Sequence, residues 1–454
     1  MSTQHILSRR LGLFDSAMMM VGIVIGSGIF LTTGIMAQSV PSAGLILLAW
    51  LTGGVLTLCG ALTLAELGAA MPEVGGLYVY LREAYGHLYG FLFGWVLFLV
   101  SMGGSIAALA VGFASYLGYF VPWVSSEQLV FGSVSTVQLM ALLVVVGLSA
   151  INFVGVGPGK TLQNLFTVAK IGAILAFGAL AWTAEPTARP DLALAPAGAD
   201  LLALVSGFGV ALVAVSWAFD GWHNVTYSAG EIKNPGKNLP LVLVGGTLLI
   251  TSLYLLVNYV YVVALPVQQM AGVVRIAERA SGALQGSGAA GLISAMVLVS
   301  IFGALNGTIF AAPRVYYAMA RDGVFFRKVA EIHPRFRTPA FAIALQAAWA
   351  SLLTLTGSYE QLFTYVVFVT FIFWISTTAS VFALRRKRPD LARPYKTWGY
   401  PIVPLVFITA IALVLVNTLI AKPVESLAGL GITLAGIPAY HFWRRSQSGS
   451  ATSM

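Results

Sequence analysis

Apolar stretches long enough to cross a bilayer follow one another almost without pause along this chain. About 20 apolar residues suffice for one crossing. Twelve segments qualify, at 13–37, 43–70, 87–119, 137–155, 161–182, 201–230, 239–264, 289–320, 339–356, 361–384, 401–421 and 426–443. Short joints rich in glycine, proline or charge separate them, such as 71–76, 156–160 and 233–237. Charged residues fill only 9% of 454 positions, too few to cover the surface of a water-soluble domain of this size. The expected class is therefore an all-α membrane protein with twelve transmembrane helices. The start, MSTQHILSRRLGLFDS, has the basic-then-apolar order of a secretion signal, including a twin-arginine pair. Its apolar run is too long for a signal and lacks the usual small-residue cleavage pattern. Arg9 and Arg10 thus read as an anchor on the cytoplasmic side.

Orientation follows from where the loop lysines and arginines fall. With both termini cytoplasmic, the inner loops hold Arg9, Arg10, Arg82, Lys160, Lys233, Lys237, the groups within 314–337 and 385–396, Arg444 and Arg445. The outer side keeps only Arg189, Arg275, Arg279 and Lys422. The net charge of +9 is thus a matter of topology, and no basic soluble domain exists to bind nucleic acid. A single cysteine, Cys59, excludes an intrachain disulfide and a cysteine metal site. The five histidines have no ligand spacing, so neither a metal nor a cofactor is expected. The outer connection 267–287 mixes apolar and charged residues and reads either as a short amphipathic helix or as an ordinary loop.

Two spans are pierced. The first carries GIVIGSGIF at 22–30. A small-xxx-small packing face explains Gly22 and Gly26, but does not require Ser27 and Gly28 directly afterwards. An unwound point does, and bare backbone at that depth is tolerated only inside protein or around a cavity. The sixth span has its own interruption, WAFDGW at 217–222, with a turn-like Asp220-Gly221 pair. Spans one and six open the two halves of a five-plus-five repeat. Paired interruptions at matching places are the best sequence pointer to a transporter's binding site. N–H groups at Ser27 and Gly28, at the start of a half-helix, suit a carboxylate. Carbonyls near Val24, Trp217, Ala218 and Asp220 suit an ammonium. Together they fit an α-amino acid zwitterion.

Lys170 lies near the middle of the fifth span. A lysine at the bilayer centre costs about 2.5–3.5 kcal/mol on insertion scales, and snorkelling to an interface is a long reach from there. It is expected to point inward, donating to carbonyls freed at the first break in place of a bound cation, and is a candidate proton carrier. Asn306, in the eighth span, reads equally as an interhelical hydrogen bond and as a pocket-lining residue. Asp220 reads as a cap for the second half-helix or as an attractor for a cationic side chain.

These residues resemble the amino acid–polyamine–organocation superfamily, close to its L-type amino acid transporter branch. The likeness runs over nearly the whole chain and is carried by GIVIGSGIF (22–30), AELGAAMPEVGGLYVYLREAYG (65–86), GSIAALA (104–110), WAFDGW with EIKNPGKNLP (217–222, 231–240), and Asn306 through RDG (321–323). The resemblance implies a LeuT-type inverted repeat over 13–384 with discontinuous helices 1 and 6. It adds two further spans within 385–443 and cytoplasmic tails at 1–12 and 444–454. It implies a substrate site of Val24, Gly26, Ser27, Gly28, Trp217, Ala218, Phe219, Asp220, Gly221 and Asn306, with Trp217 as the gate over it. Lys170 falls where sodium-independent relatives carry a lysine. Glu66, Glu73, Arg82, Arg321 and Asp322 read as contacts of a cytoplasmic gate or loop. Animal members join a heavy subunit through a cysteine between spans three and four. The segment 120–131 has none, so no disulfide-linked subunit is expected.

The function so implied is sodium-independent transport of L-amino acids across the cell membrane by alternating access, through exchange or proton-linked uptake, with neutral side chains favoured. A cationic preference using Asp220 is the alternative. An enzyme would need a nucleophile–base pair inside the bilayer, and none is visible. A non-transporting sensor would be expected to carry a signalling domain, and the last segment, 444–454, is short.

Overall fold

The computed structural model describes residues 9–154, 159–183, 187–194, 200–336, 338–356 and 359–451. Residues 156–158 of the expected joint at 156–160, Arg337, residues 1–8 of the first tail and 452–454 of the second lie outside these. Two helices, α1 (Leu13–Val24) and α2 (Gly28–Met36), share the first apolar segment. They are followed by α3 (Ala43–Ala70), α4 (Leu77–Tyr85), α5 (His87–Val96) and α6 (Gly103–Leu117). A π-helical stretch, Leu97–Met102, joins α5 to α6. Next come a short hairpin of β1 (Leu129–Phe131) and β2 (Val134–Ser135), then α7 (Thr136–Val154), α8 (Gly159–Thr183) and α9 (Leu201–Phe219). A 3-10 segment, Asn224–Glu231, continues α9. The remainder is α10 (Pro235–Ala264), α11 (Val267–Met270), α12 (Ile276–Gln285), α13 (Ser287–Ala311), α14 (Pro313–Arg321), α15 (Ala340–Thr354), α16 (Tyr359–Lys387), α17 (Ile402–Ala421) and α18 (Pro423–Ala451).

Among the described residues nine helices or interrupted helix pairs are long and apolar enough to cross a membrane, and two shorter apolar helices, Gln163–Ala179 and Ala340–Thr354, accompany them. The protein is a multi-pass, predominantly helical membrane protein. The all-α expectation needs one small amendment, since the 120–131 loop contributes a strand to the hairpin. The outer connection resolves in favour of an amphipathic helix. Ile276, Ala277, Ala280 and Ser281 of α12 are buried, and the helix packs against α13, α10 and α2.

Helix pairing is regular. α3 lies along α10, α6 along α13 and α7 along α15, while α1 packs on α8, α10 and α13, and α2 packs on α9. The interrupted helices therefore stand inside the bundle: the first apolar segment buries most of its residues, whereas α17 leaves most of its surface outward. At one end the chain before α1 is clipped to the chain after the 3-10 segment. Arg10 and Leu11 N–H groups donate to Glu231 O at 2.9 and 3.0 Å, and Lys233 N–H donates to Leu11 O at 2.9 Å. Arg314 holds the same Glu231 by its carboxylate, Nε to Oε1 at 2.7 Å.

Candidate functional site

The first break falls where the sequence is poorest in helix formers. Ile25, with φ −72° and ψ 79°, ends α1, and Gly28 begins α2. Glycine at 28 is required by contact: a Cβ there would overlap Ala218 Cα. The second break follows Asp220, whose φ −55° and ψ 147° leave the helix, and Gly221 takes φ +95°, a conformation that side-chain-bearing residues rarely adopt. The two breaks therefore meet back to back.

The carbonyls at the end of α1 find donors. Lys170, 2% exposed, donates from Nζ to Gly22 O at 2.7 Å and to Ile25 O at 3.0 Å. Ser300 Oγ adds a donor to Ile25 O at 3.1 Å. Lysine thus supplies a positive charge at the negative end of α1, where a cation is favoured. Tyr254 Oη reaches both breaks, lying 2.8 Å from Val24 O and 2.9 Å from Ala218 O. Its single proton is shared between two carbonyls that the sequence nominated for the ammonium. Each carbonyl keeps a second lone pair.

A cavity of about 30 Å³ opens where the breaks meet, lined by Ile23, Val24, Gly26, Ser27, Gly28, Met102, Ser105, Leu109, Trp217, Asp220, Gly221, Asn224 and Thr308. Seven of the expected site residues line it: Val24, Gly26, Ser27, Gly28, Trp217, Asp220 and Gly221. Three do not. Ala218 contributes its carbonyl to Tyr254 instead. Phe219 turns away into an aromatic cluster with Tyr254 and Trp50, at centroid distances of 5.0 and 6.3 Å. Asn306 faces α7, where Asn152 Nδ2 donates to its Oδ1 at 2.7 Å. Nor does Asp220 cap the second half-helix. His223 occupies that N-cap position, without a side-chain bond.

Sequence reasoning missed Tyr254, Ser105, Thr308 and the π stretch that brings Met102 to the cavity. Tyr254 carried a readable signal. With Asn258 and Tyr261 it forms a polar stripe at i, i+4 and i+7, one helix face. All three meet the first apolar segment, for Asn258 Oδ1 accepts from Thr33 Oγ1 at 2.7 Å and Tyr261 Oη donates to Ile29 O at 3.1 Å.

Two larger cavities flank the small one. One of about 630 Å³ lies at the arginine-rich end and includes Arg9, Glu73, Arg82, Gly230, Tyr317 and Asp322. The other, about 890 Å³, is lined by the far half of α2, by α6, the hairpin and α12, with Arg275, Glu278 and Arg279 in its wall. At the arginine-rich end Arg82 pairs with Asp322 and Glu83, and Tyr78 Oη donates to Asp322 at 2.7 Å. Burial, together with the Asp322 carboxylate, pushes the Tyr78 phenol above its usual range. Glu66 belongs to a different cluster. It accepts from Arg385 at 2.9 and 2.6 Å, pairs with Arg393 at 3.3 Å, and accepts from Thr397 N and Oγ1 at 2.8 Å. It fixes the connection between α16 and α17 and lies apart from the Arg82 group.

This architecture defines a polytopic carrier-like membrane protein with a small polar cavity at two helix breaks. A family profile described as amino acid permease matches residues 11–436, and the chain belongs to the amino acid permease family. It is 34% identical over 451 residues to the serine/threonine exchanger SteT of Bacillus subtilis (strain 168), covering 97% of this chain and 98% of that protein. Against the human b(0,+)-type amino acid transporter 1 it is 32% identical over 430 residues, with 92% and 84% covered. Against the human large neutral amino acids transporter small subunit 2 it is 30% identical over 449 residues, with 96% and 80% covered. The chain thus falls in the L-type branch of its superfamily, and these relatives bear the names of transporters, not of enzymes.

Proposed function

We propose that the protein carries L-amino acids across the cell membrane by alternating access, without sodium, and exchanges one amino acid for another. The observation that carries this reading is the cavity itself. Ser27 and Gly28 at the start of α2 offer N–H groups for a carboxylate, and the carbonyl ends of α1 and α9 lie opposite for an ammonium. Lys170 stands on the Gly22 and Ile25 carbonyls, where a bound cation would otherwise be needed. This supports sodium independence and a coupling role for the lysine. Trp217, in the cavity wall, acts as the gate. With α8, α15 and α18 added to the nine long spans, the count becomes twelve. The pairings of α3 with α10, α6 with α13 and α7 with α15 are those of span n with span n+5, as a LeuT-type repeat over 13–384 requires; 385–443 supplies the last two spans. The arginine-rich end, with both tails, is cytoplasmic by the positive-inside rule. Exchange is favoured by the likeness to a serine/threonine exchanger. The lone cysteine, Cys59, lies in α3 and not in the 120–131 loop, so the carrier works without a disulfide-linked subunit.

The test is a competition panel. Purified protein is reconstituted, loaded with one labelled amino acid, and challenged outside with each of the standard ones, with and without sodium and a pH gradient. Efflux driven by small or neutral L-amino acids, indifferent to sodium, is expected. Lysine or arginine as the strongest competitor would assign Asp220 to the substrate's side chain. Saturable binding without any flux would reassign the protein as a sensor.

A further inference from the structure

Between the central cavity and the 630 Å³ vestibule lie several buried polar side chains. The 3-10 segment runs from one to the other, with Asn224 on the cavity and Gly230 on the vestibule. Facing it, α13 and α14 run from Thr308 on the cavity to Tyr317 on the vestibule. Tyr227 and Tyr316 stand midway. The Tyr227 ring packs on His223 at 5.7 Å, and the Tyr316 ring on Phe98 and Phe325 at 5.3 and 6.1 Å. The two tyrosines are 0% and 1% exposed. Neither hydroxyl has a hydrogen-bond partner among the described residues, and the same holds for Asn224 Oδ1 and Ser228 Oγ. Each unmet buried group costs about 1–3 kcal/mol, and native interiors rarely gather several in one place. Groups so placed are satisfied only when water or a polar solute enters beside them.

We infer that Tyr227 and Tyr316 are the closed section of a polar passage from the central cavity to the arginine-rich vestibule. Their hydroxyls, with Asn224 and Ser228, face water and the passing amino acid once it opens. A phenol is bulky enough to plug the passage and polar enough to line it. This assignment rests on the transport reading and adds residues which that reading does not name.

The single cysteine makes the test direct. Cys59→Ala, on α3 away from the passage, gives a thiol-free carrier for reconstitution. Ser228→Cys in that background exchanges one oxygen for sulfur. Its labelling by a small cationic methanethiosulfonate is expected to rise about tenfold or more when exchange is running, as for an open state that is otherwise 0.1–10% populated. Ser294→Cys, equally buried and equally unpartnered but beyond the cavity on α13, is expected not to respond. A Ser228→Cys thiol that stays inert during measured exchange overturns the passage. Independently, Tyr227→Phe and Tyr316→Phe are expected to melt no lower than the parent while exchanging about three- to tenfold more slowly, the worth of one hydrogen bond. Parental rates in both also overturn it. If the parent shows no exchange but Ser228→Cys still opens on adding amino acid, the transport reading fails and the passage stands.

Discussion

At the first break the carbonyls of Gly22, Val24 and Ile25 accept from Lys170, Tyr254 and Ser300, which come from three different helices. After the second break the chain enters an eight-residue 3-10 segment, interrupted at Ser228 by φ −101° and ψ 17°. Runs of 3-10 helix beyond three or four residues are uncommon, because the hydrogen bonds are poorer. His223, Asn224, Tyr227 and Ser228 each carry a buried polar atom without a partner among the described residues. The first break is held by long-range donors. The second leads into a segment with several buried polar atoms that lack partners among the described residues, a mark of low local stability. The difference assigns the two breaks different work. On the transport reading proposed above, the first break holds the substrate's charges and the second heads the element that opens.

The contact between the breaks is the first place to press. Gly28→Val puts side-chain atoms where Ala218 Cα sits, so the breaks must part. Exchange in proteoliposomes is expected to fall below detection while the protein still elutes as a single folded species. Normal exchange would mean that the breaks do not need to touch. Lys170→Met comes next. It removes one donor from each of two deep carbonyls, of which Ile25 O keeps Ser300, and the cation at the end of α1. Hydrogen bonds to a charged group are worth about 1.5–3 kcal/mol, so a loss of roughly 10- to 100-fold in kcat/KM is expected. The same exchange assay, run with and without sodium, checks it; sodium-dependent rescue would show that an ion takes the lysine's place. Tyr254→Phe is smaller, because each carbonyl keeps neighbours and only a shared proton is lost. A several-fold slowing with a lower melting temperature is expected, near the ~1 kcal/mol of one neutral hydrogen bond.

Much of this is legible in the sequence, and the reason is local. A glycine-serine cluster inside an apolar run and an Asp-Gly pair inside another both contradict their own segments, and a conflict of that kind is readable from neighbours alone. Lys170 was legible for the same reason: a charge at the centre of a span needs an acceptor, and the first break offered bare ones. What could not be read was which distant group each residue meets. Glu66 reads as a contact of a cytoplasmic gate or loop, but its partners, Arg385 and Arg393, lie more than 300 positions on. The polar face of α10 could be seen, but not that its first member would bridge both breaks. The π stretch leaves no clear mark in the string LFLVSM, although it helps bring Met102 and Ser105 to the cavity wall.

Asn306 tests where the site ends, and the effect is the smallest. Successive helical residues turn by about 100°, so residues 306 and 308 point about 200° apart on α13. Thr308 lines the cavity and Asn306 does not, and the geometry allows only one of them to do so. Asn306→Ala removes an amide that accepts from Asn152 between α13 and α7. Interhelical bonds of this type average about 0.6 kcal/mol, so a slightly lower melting temperature with KM within about threefold of the parent is expected. Thr308→Val, whose hydroxyl also bonds Ala304 O at 2.9 Å within its own helix, should move KM more than stability. Measuring both constants for both variants separates the two faces. If Asn306→Ala raises KM and Thr308→Val leaves it alone, α13 must rotate during transport, and the fixed half of the site is smaller than the first break and its three donors.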